Sequence, residues 1–192
     1  MMIPFNHLGM VFNTFGTFVY PQSVRESLCT FLKLAPSKAK VLDIGTGTGL
    51  LCKFGHACRD DVEYIAIDPA EGMMKYAKAY VETHIATAED LPFEESSFDM
   101  AMMGESLHHF RDVDEALSET VRVLKNGARL FIYDFDVQSF MGKSICKGEM
   151  LLGEPGNFFT PQDLQEKLEA YGFSPVITKH GWRYTVNARL EK

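Results

Sequence analysis

The chain has 192 residues, 46% of them hydrophobic and 23% charged, and a formal net charge of −7. This is most simply one domain of ordinary globular composition, long enough to bury a core without staples. An acidic chain with no basic run lacks the electrostatic footprint of a duplex-binding protein, so no nucleic-acid partner is expected.

The N-terminal stretch MMIPFNHLGMVFNTFGTFVY is aromatic but broken by Pro, Asn, His and Gly. It has no basic leading region and no clean apolar run, which argues against a secretory signal. No run approaches the roughly 20 apolar residues of a membrane span. Cys29, Cys52, Cys58 and Cys146 form no CxxC pair and no zinc spacing, so they read as reduced thiols of a cytoplasmic protein.

From Pro21 the pattern turns helical, with Val24, Leu28, Phe31 and Leu32 on one face, and Pro36 ends it. AKVLDI then reads as a strand buried on both sides, followed by a helix from Gly49 to Cys58. VEYIAID is a second strand ending at Asp68, and AEGMMKYAKAYVE, residues 70–82, reads as a helix. A third strand is expected around HIATAED, a fourth at SFDMAMM, and then a loop through GESLHHF. DVDEALSETVRVL is an amphipathic helix that Lys125, Asn126 and Gly127 should stop before a fifth strand, ARLFIYDF. Residues 137–159, rich in glycine, read as an irregular excursion. Helix PQDLQEKLEAY and two strand-like runs around HGW close the chain as a hairpin. Alternating strands and helices predict a doubly wound, Rossmann-like α/β sheet of seven strands, mostly parallel, with an antiparallel strand from the C-terminal hairpin.

The chemistry-bearing stretch is VLDIGTGTGLL, residues 41–51, with glycines at 45, 47 and 49. A glycine-rich turn after a strand lets a ligand come close to backbone. Dinucleotide binders place a third small residue where this chain has Leu50. Asp43 just before the loop would repel a pyrophosphate and welcome an ammonium group.

This stretch, with IDPAEGMMKYA, AEDLPFEESSFDMAMMGESLHHF and RVLKNGARLFIYDF, resembles the class I S-adenosylmethionine-dependent methyltransferases. Within them it is similar to the small-molecule group of the ubiquinone/menaquinone C-methylases, over residues 40–135. The resemblance implies S-adenosyl-L-methionine as cofactor and S-adenosyl-L-homocysteine as product. Gly45, Gly47 and Gly49 would then cradle the methionine part, with Asp43 near its ammonium and Thr46 and Thr48 adding hydroxyl bonds. Asp68 would take the ribose hydroxyls, Pro69 and Met73 would cover the adenine, and Ala88 with Thr87 or Glu89 would meet its edge. Gly104 would let the methionine end pass. Thr87 stands where the family often has Asp, and Ala70 where it often has Ser.

Methyl transfer from a sulfonium is an in-line displacement in which alignment does most of the work. Glu105 and His108, after the fourth strand, are the candidate catalytic residues; Tyr20, His109 and Asp134 are candidates for the acceptor wall. Adjacent side chains diverge in an extended chain, so the histidine pair reads as a poor metal site, and no metal is expected. The aromatic N-terminal stretch (Phe12, Phe15, Phe18, Tyr20) and residues 137–159 should cover a small, partly apolar acceptor. The expected organisation is a lid at 1–36, a cofactor core at 37–136, a substrate cover at 137–160 and the terminal helix and hairpin at 161–192. Two other readings stay open: a catalytically silent cofactor-binding or regulatory protein, and a nicotinamide-dependent oxidoreductase, against which Leu50 and the hairpin both speak. The acceptor and the oligomeric state are not legible.

Overall fold

The computed structural model describes residues 18–152 and 156–191, so Phe12, Phe15 and the rest of residues 1–17 lie outside the described residues. In chain order the elements are α1 (Gln22–Leu32), β1 (Lys40–Ile44), α2 (Leu50–His56), β2 (Glu63–Ile67), α3 (Glu71–Met74) and β3 (Val81–His84). Then come β4 (Phe98–Gly104), a 3-10 turn (Leu107–His109), α4 (Val113–Val123), β5 (Leu124–Phe135), α5 (Phe140–Leu152), α6 (Pro161–Ala170), β6 (Phe173–His180) and β7 (Arg183–Leu190). The strands make one sheet in the order β3-β2-β1-β4-β5-β7-β6. The first five run parallel and β7 runs antiparallel to both its neighbours. This is the doubly wound sheet with a reversed strand that the sequence pattern predicts.

The apolar runs are continuous because the sheet is covered on both faces. Val41, Tyr64, Met100 and Phe131 pack with the inner faces of α1 and α2. Their chain neighbours Leu42, Ile65, Ala101 and Leu130 pack with α4 and α6 on the opposite side. Strand order reverses direction at β1 and β4, so the carboxyl ends of those two strands flank the crevice where such sheets bind ligands. Two helix starts are fixed by polar caps: at α4 Asp112 Oδ1 accepts from the amides of Asp114 and Glu115, and at α6 Thr160 and Asp163 form a reciprocal box.

Four local expectations are corrected. The helix expected over 70–82 stops at Met74 because Val81 and Thr83 pair with Tyr64 and Ala66 of β2, placing β3 earlier than HIATAED. β-branched residues on a sheet edge override a helical pattern here. Ala77, in the intervening turn, packs within 3.2 Å of where a Cβ on Gly49 would stand. Lys125–Gly127 do not separate helix from strand: Phe98 pairs with Leu124 and Met100 with Arg129, so the three residues bulge out of β5, with Gly127 at φ +75°.

Residues 137–159 are not irregular throughout, because α5 occupies Phe140–Leu152. Ser139 Oγ accepts from the Gly142 amide at the start of that helix, and Gly142 and Gly148, each costing helix stability, mask its pattern. Finally, Cys29 and Cys58 are joined in a disulfide, with Cα atoms 5.5 Å apart, while Cys52 and Cys146 are free. Packing of α1 against the end of α2 brings together two cysteines whose 29-residue separation carries no motif.

Candidate active site

The loop after β1 is a chain of left-handed turns, with φ of +73°, +55° and +77° at Gly45, Gly47 and Gly49. At Gly45 a side chain is excluded twice over, since a Cβ would also stand 2.6 Å from Ser106 Cβ. The loop is bonded inward. Gly45 and Thr46 donate their amides to Ile67 O, Gly47 donates to Asp68 Oδ2, and Gly49 donates to Thr46 O. These amides are therefore committed within the protein, and the glycines supply shape rather than free donors.

Asp43, the penultimate residue of β1, is fully buried. Its Oδ2 accepts from Thr46 Oγ1 at 2.6 Å and from the Cys52 thiol at 3.2 Å, whereas its Oδ1 is buried with no hydrogen-bond partner. Burial pushes the carboxyl up to about 6, against the bonds from Thr46 and Cys52 that favour the charged form. Raising an acid that far corresponds to about 3 kcal/mol against ionisation. A buried acceptor left open in this way is a place for a cation.

Asp68, at the end of β2, accepts from Gly47 N on Oδ2 and from Ala70 N on Oδ1, at 2.8 and 2.7 Å. Each oxygen keeps a second lone pair, so the carboxylate is held in place by backbone and still able to accept. Burial raises its pKa against the pull of the Ala70 and Gly47 amides. Met73 is buried, its Cε 3.5 Å from a Cβ position at Gly47, and Ala88 is buried too, while Pro69 is exposed. Thr48 is buried in the loop and Thr87 is half-buried beside an isolated bridge to Asp90. Glu89 accepts from the amides of Arg111 and Asp112, so its Oε1 ties down the chain after the 3-10 turn.

Across the crevice, Gly104 has its Cβ space filled by Leu51 Cδ1 and the Tyr20 hydroxyl, each 2.5 Å away. Its lack of a side chain serves that packing, and Tyr20 donates to Gly104 O at 3.0 Å. Glu105 follows at φ +50°, an uncommon conformation for a residue with a side chain. Its carboxyl lies 3.5 Å from Arg183 Nε, and burial pushes it up to about 7 despite that cation.

His108 is buried, with Nδ1 3.0 Å from both oxygens of Asp134 and Nε2 3.7 Å from Glu149 Oε2. Burial would lower its pKa, but Asp134 and then Glu149 outweigh it and push it up to about 9. His109 is driven down to about 3 by burial and by His108 beside it. The two rings do not diverge. Their backbone is a 3-10 turn rather than extended, and the ring centroids are 4.1 Å apart. The ground for expecting no metal at the pair falls with that geometry. Phe135 and Phe158 wall the His108 ring at 5.0 and 5.7 Å.

The structure thus gathers Asp43, the glycine loop, Asp68 and Met73 around the turn after β1, and Glu105, His108, His109 and Asp134, with Tyr20 bonded to Gly104 O, at the carboxyl ends of β4 and β5. Sequence reasoning missed Cys52, Ser106, Glu149 and Arg183. Ser106 donates to Ile44 O at 2.8 Å and so links the loops after β4 and β1. Cys52, one helical turn into α2, carried no signal beyond its apolar setting; Glu149 lay in the stretch read as irregular.

Residues 42–132 match the methyltransferase domain family. An uncharacterised protein of Methanocaldococcus jannaschii is 30% identical over 148 residues, 76% of this chain and 69% of that protein. A ubiquinone/menaquinone biosynthesis C-methyltransferase of a Shewanella strain is 35% identical over 109 residues, 50% of this chain but only 42% of that enzyme. In three dimensions, an S-adenosylmethionine-dependent methyltransferase of Thermotoga maritima aligns with a TM-score of 0.75 over 97% of both chains, at 23% identity. The residues present fit that cofactor: a buried carboxylate oxygen without a partner, a second carboxylate fixed with lone pairs to spare, and a methionine covering the loop between them.

Proposed function

The chain belongs to the class I S-adenosylmethionine-dependent methyltransferases, and from that premise we propose that it methylates a small molecule by in-line transfer. The observation that carries this reading is the partnerless, fully buried Asp43 oxygen behind the glycine loop, with Asp68 held 2.8 Å from Gly47 N across the loop. S-adenosylmethionine supplies an electrophilic methyl group on a sulfonium. Asp43 holds the ammonium end, directly or through water, Thr46 keeps the carboxylate oriented, and Asp68 accepts from the ribose.

The acceptor enters from the side of Tyr20, His109 and Asp134. Its chemistry follows from the wall: aromatic faces at Phe135 and Phe158 with a few convergent charged groups suit a small, partly apolar molecule. Glu105 takes up a proton from the acceptor, its carboxyl poised at about 7, and His108, fixed by Asp134, orients the acceptor. Holding the nucleophile about 3–3.5 Å from the methyl carbon is worth on the order of 7–11 kcal/mol. The expected cytoplasmic location is part of this reading, and the Cys29–Cys58 bridge removes the reduced-thiol argument for it. Among the described residues no helix is long and apolar enough to cross a membrane.

Calorimetry with S-adenosylhomocysteine tests the reading: wild type binds and Asp68→Ala does not, and NAD gives no heat. Tight binding of NAD with none of S-adenosylhomocysteine overturns it. Labelled cofactor with a metabolite panel then identifies the acceptor, and binding without transfer to any acceptor points to the silent alternative.

A further inference from the structure

One cluster at the carboxyl ends of β4 and β5 is not accounted for by cofactor binding. His108, His109 and Glu149 place a ring nitrogen or carboxylate oxygen each within 4.8 Å of one another. They come from two separate elements, the 3-10 turn and α5, with His108 buried and its partners half-buried. Metal–ligand bonds of about 2.0–2.2 Å set ligand separations of about 3–4 Å. The 3.7 Å between His108 Nε2 and Glu149 Oε2 already lies there.

The orientation of His108 is the second, independent observation. Both Asp134 oxygens stand 3.0 Å from its Nδ1, and Phe135 N donates to Asp134 Oδ1 at 2.9 Å, fixing that carboxylate in turn. Asp134 faces Nδ1, so Nε2 is the ring atom aimed at Glu149, 3.7 Å away. A carboxylate behind a ligating histidine is the arrangement that fixes its tautomer and makes it a stronger ligand. Two imidazoles and one carboxylate leave open coordination positions, as catalytic rather than structural metal sites do.

We propose that His108, His109 and Glu149 bind one divalent transition-metal ion of the zinc class, with Asp134 as the outer partner that orients His108. Two neutral rings and the carboxylates of Glu149 and Asp134 balance a doubly charged ion. With its open position toward the crevice, it holds the heteroatom of the methyl acceptor; this use rests on the methyl-transfer reading, whereas the binding itself does not.

The test uses the full chain, stripped with a chelator and dialysed, and titrated with Zn²⁺ by calorimetry and with Co²⁺ by visible absorption. One ion per chain is expected, with a Co²⁺ d–d band. His109→Ala and Glu149→Gln each abolish the band, and Asp134→Asn weakens binding about 10–100-fold. Thermal melts confirm that each variant is folded, and the two ligand variants lie on different elements, so one misfolded protein does not end the test. No stoichiometric binding by wild type, or binding that survives both ligand variants, overturns the proposal and leaves an ion pair among His108, Asp134 and Glu149. S-adenosylhomocysteine titrated in parallel separates the two readings: its binding without Zn²⁺ binding removes only the metal, and the converse removes only methyl transfer.

Discussion

Thr46 donates its hydroxyl to one oxygen of Asp43 at 2.6 Å, and the other oxygen of that carboxylate is buried without a partner. The acid is thus half-satisfied by its own loop and half-open toward a ligand. Asp43→Asn removes the charge and keeps the shape. A bond to a charged group is worth about 1.5–3 kcal/mol, so S-adenosylhomocysteine affinity should fall on the order of 10- to 100-fold in calorimetry. The ligand-free variant should melt no lower than wild type at pH 8, because it no longer buries a carboxylate.

The same residue sets a pH dependence. Its folded pKa, about 6, lies above the ordinary 3.8. The folded state therefore holds the proton more tightly than the unfolded chain, and this contribution is full below about pH 4 and lost as pH rises through 6. The loss amounts to about 3 kcal/mol. Denaturant unfolding of wild type and Asp43→Asn at pH 4.5, 6 and 7.5 should show wild type losing ground to the variant across that window. Cofactor affinity should move the other way, strengthening through pH 6 as the carboxylate ionises. Equal slopes in the two proteins would refute the assignment.

Gly104→Ala tests the packing beneath the crevice. The new Cβ would stand 2.5 Å from both the Tyr20 hydroxyl and Leu51 Cδ1, and overpacking of this kind costs typically 1–3 kcal/mol. A lower melting temperature is expected, partly restored by Tyr20→Phe, which removes one of the two clashing groups. A variant as stable as wild type would show that Tyr20 is not held there.

How much of this was legible in the sequence depends on whether the deciding contact is local. The glycine loop, Asp43 and Asp68 are readable because each sits at the end of a buried strand, where chain position fixes its place in the crevice. Cys52, Arg183 and Glu149 are not, because what brings them in is the docking of α2, the reversed strand β7 and α5. The histidine pair defeats the extended-chain expectation because a 3-10 turn carries it. Similarly, α3 is cut to Glu71–Met74 by sheet pairing that no helical periodicity reports.

The disulfide is a further case of tertiary placement. Closing a loop of 29 residues between Cys29 and Cys58 removes unfolded-state entropy worth about 3.5 kcal/mol. Melting with and without a strong reductant should differ by several degrees in wild type and not in Cys29→Ser. A wild type indifferent to reductant would show that the bridge contributes nothing to the fold.

Glu105 sits at φ +50° immediately after β4, its amide donating to Tyr133 O at 2.8 Å, so the turn is pinned from β5. Positive φ in a residue with a side chain is strain that persists where surroundings over-determine it, and such strain gathers at working sites. Burial is the main cause of its raised carboxyl, with Asp134 adding and Arg183 opposing. If Glu105 accepts the acceptor's proton, the transfer rate rises with pH through about 7, because only the ionised form can take it. Glu105→Gln keeps the turn and loses the base: kcat should drop on the order of 10²- to 10⁴-fold, the limb near 7 should vanish, and S-adenosylhomocysteine binding should be little changed. A variant that keeps both its rate and its pH limb would assign the proton to another group.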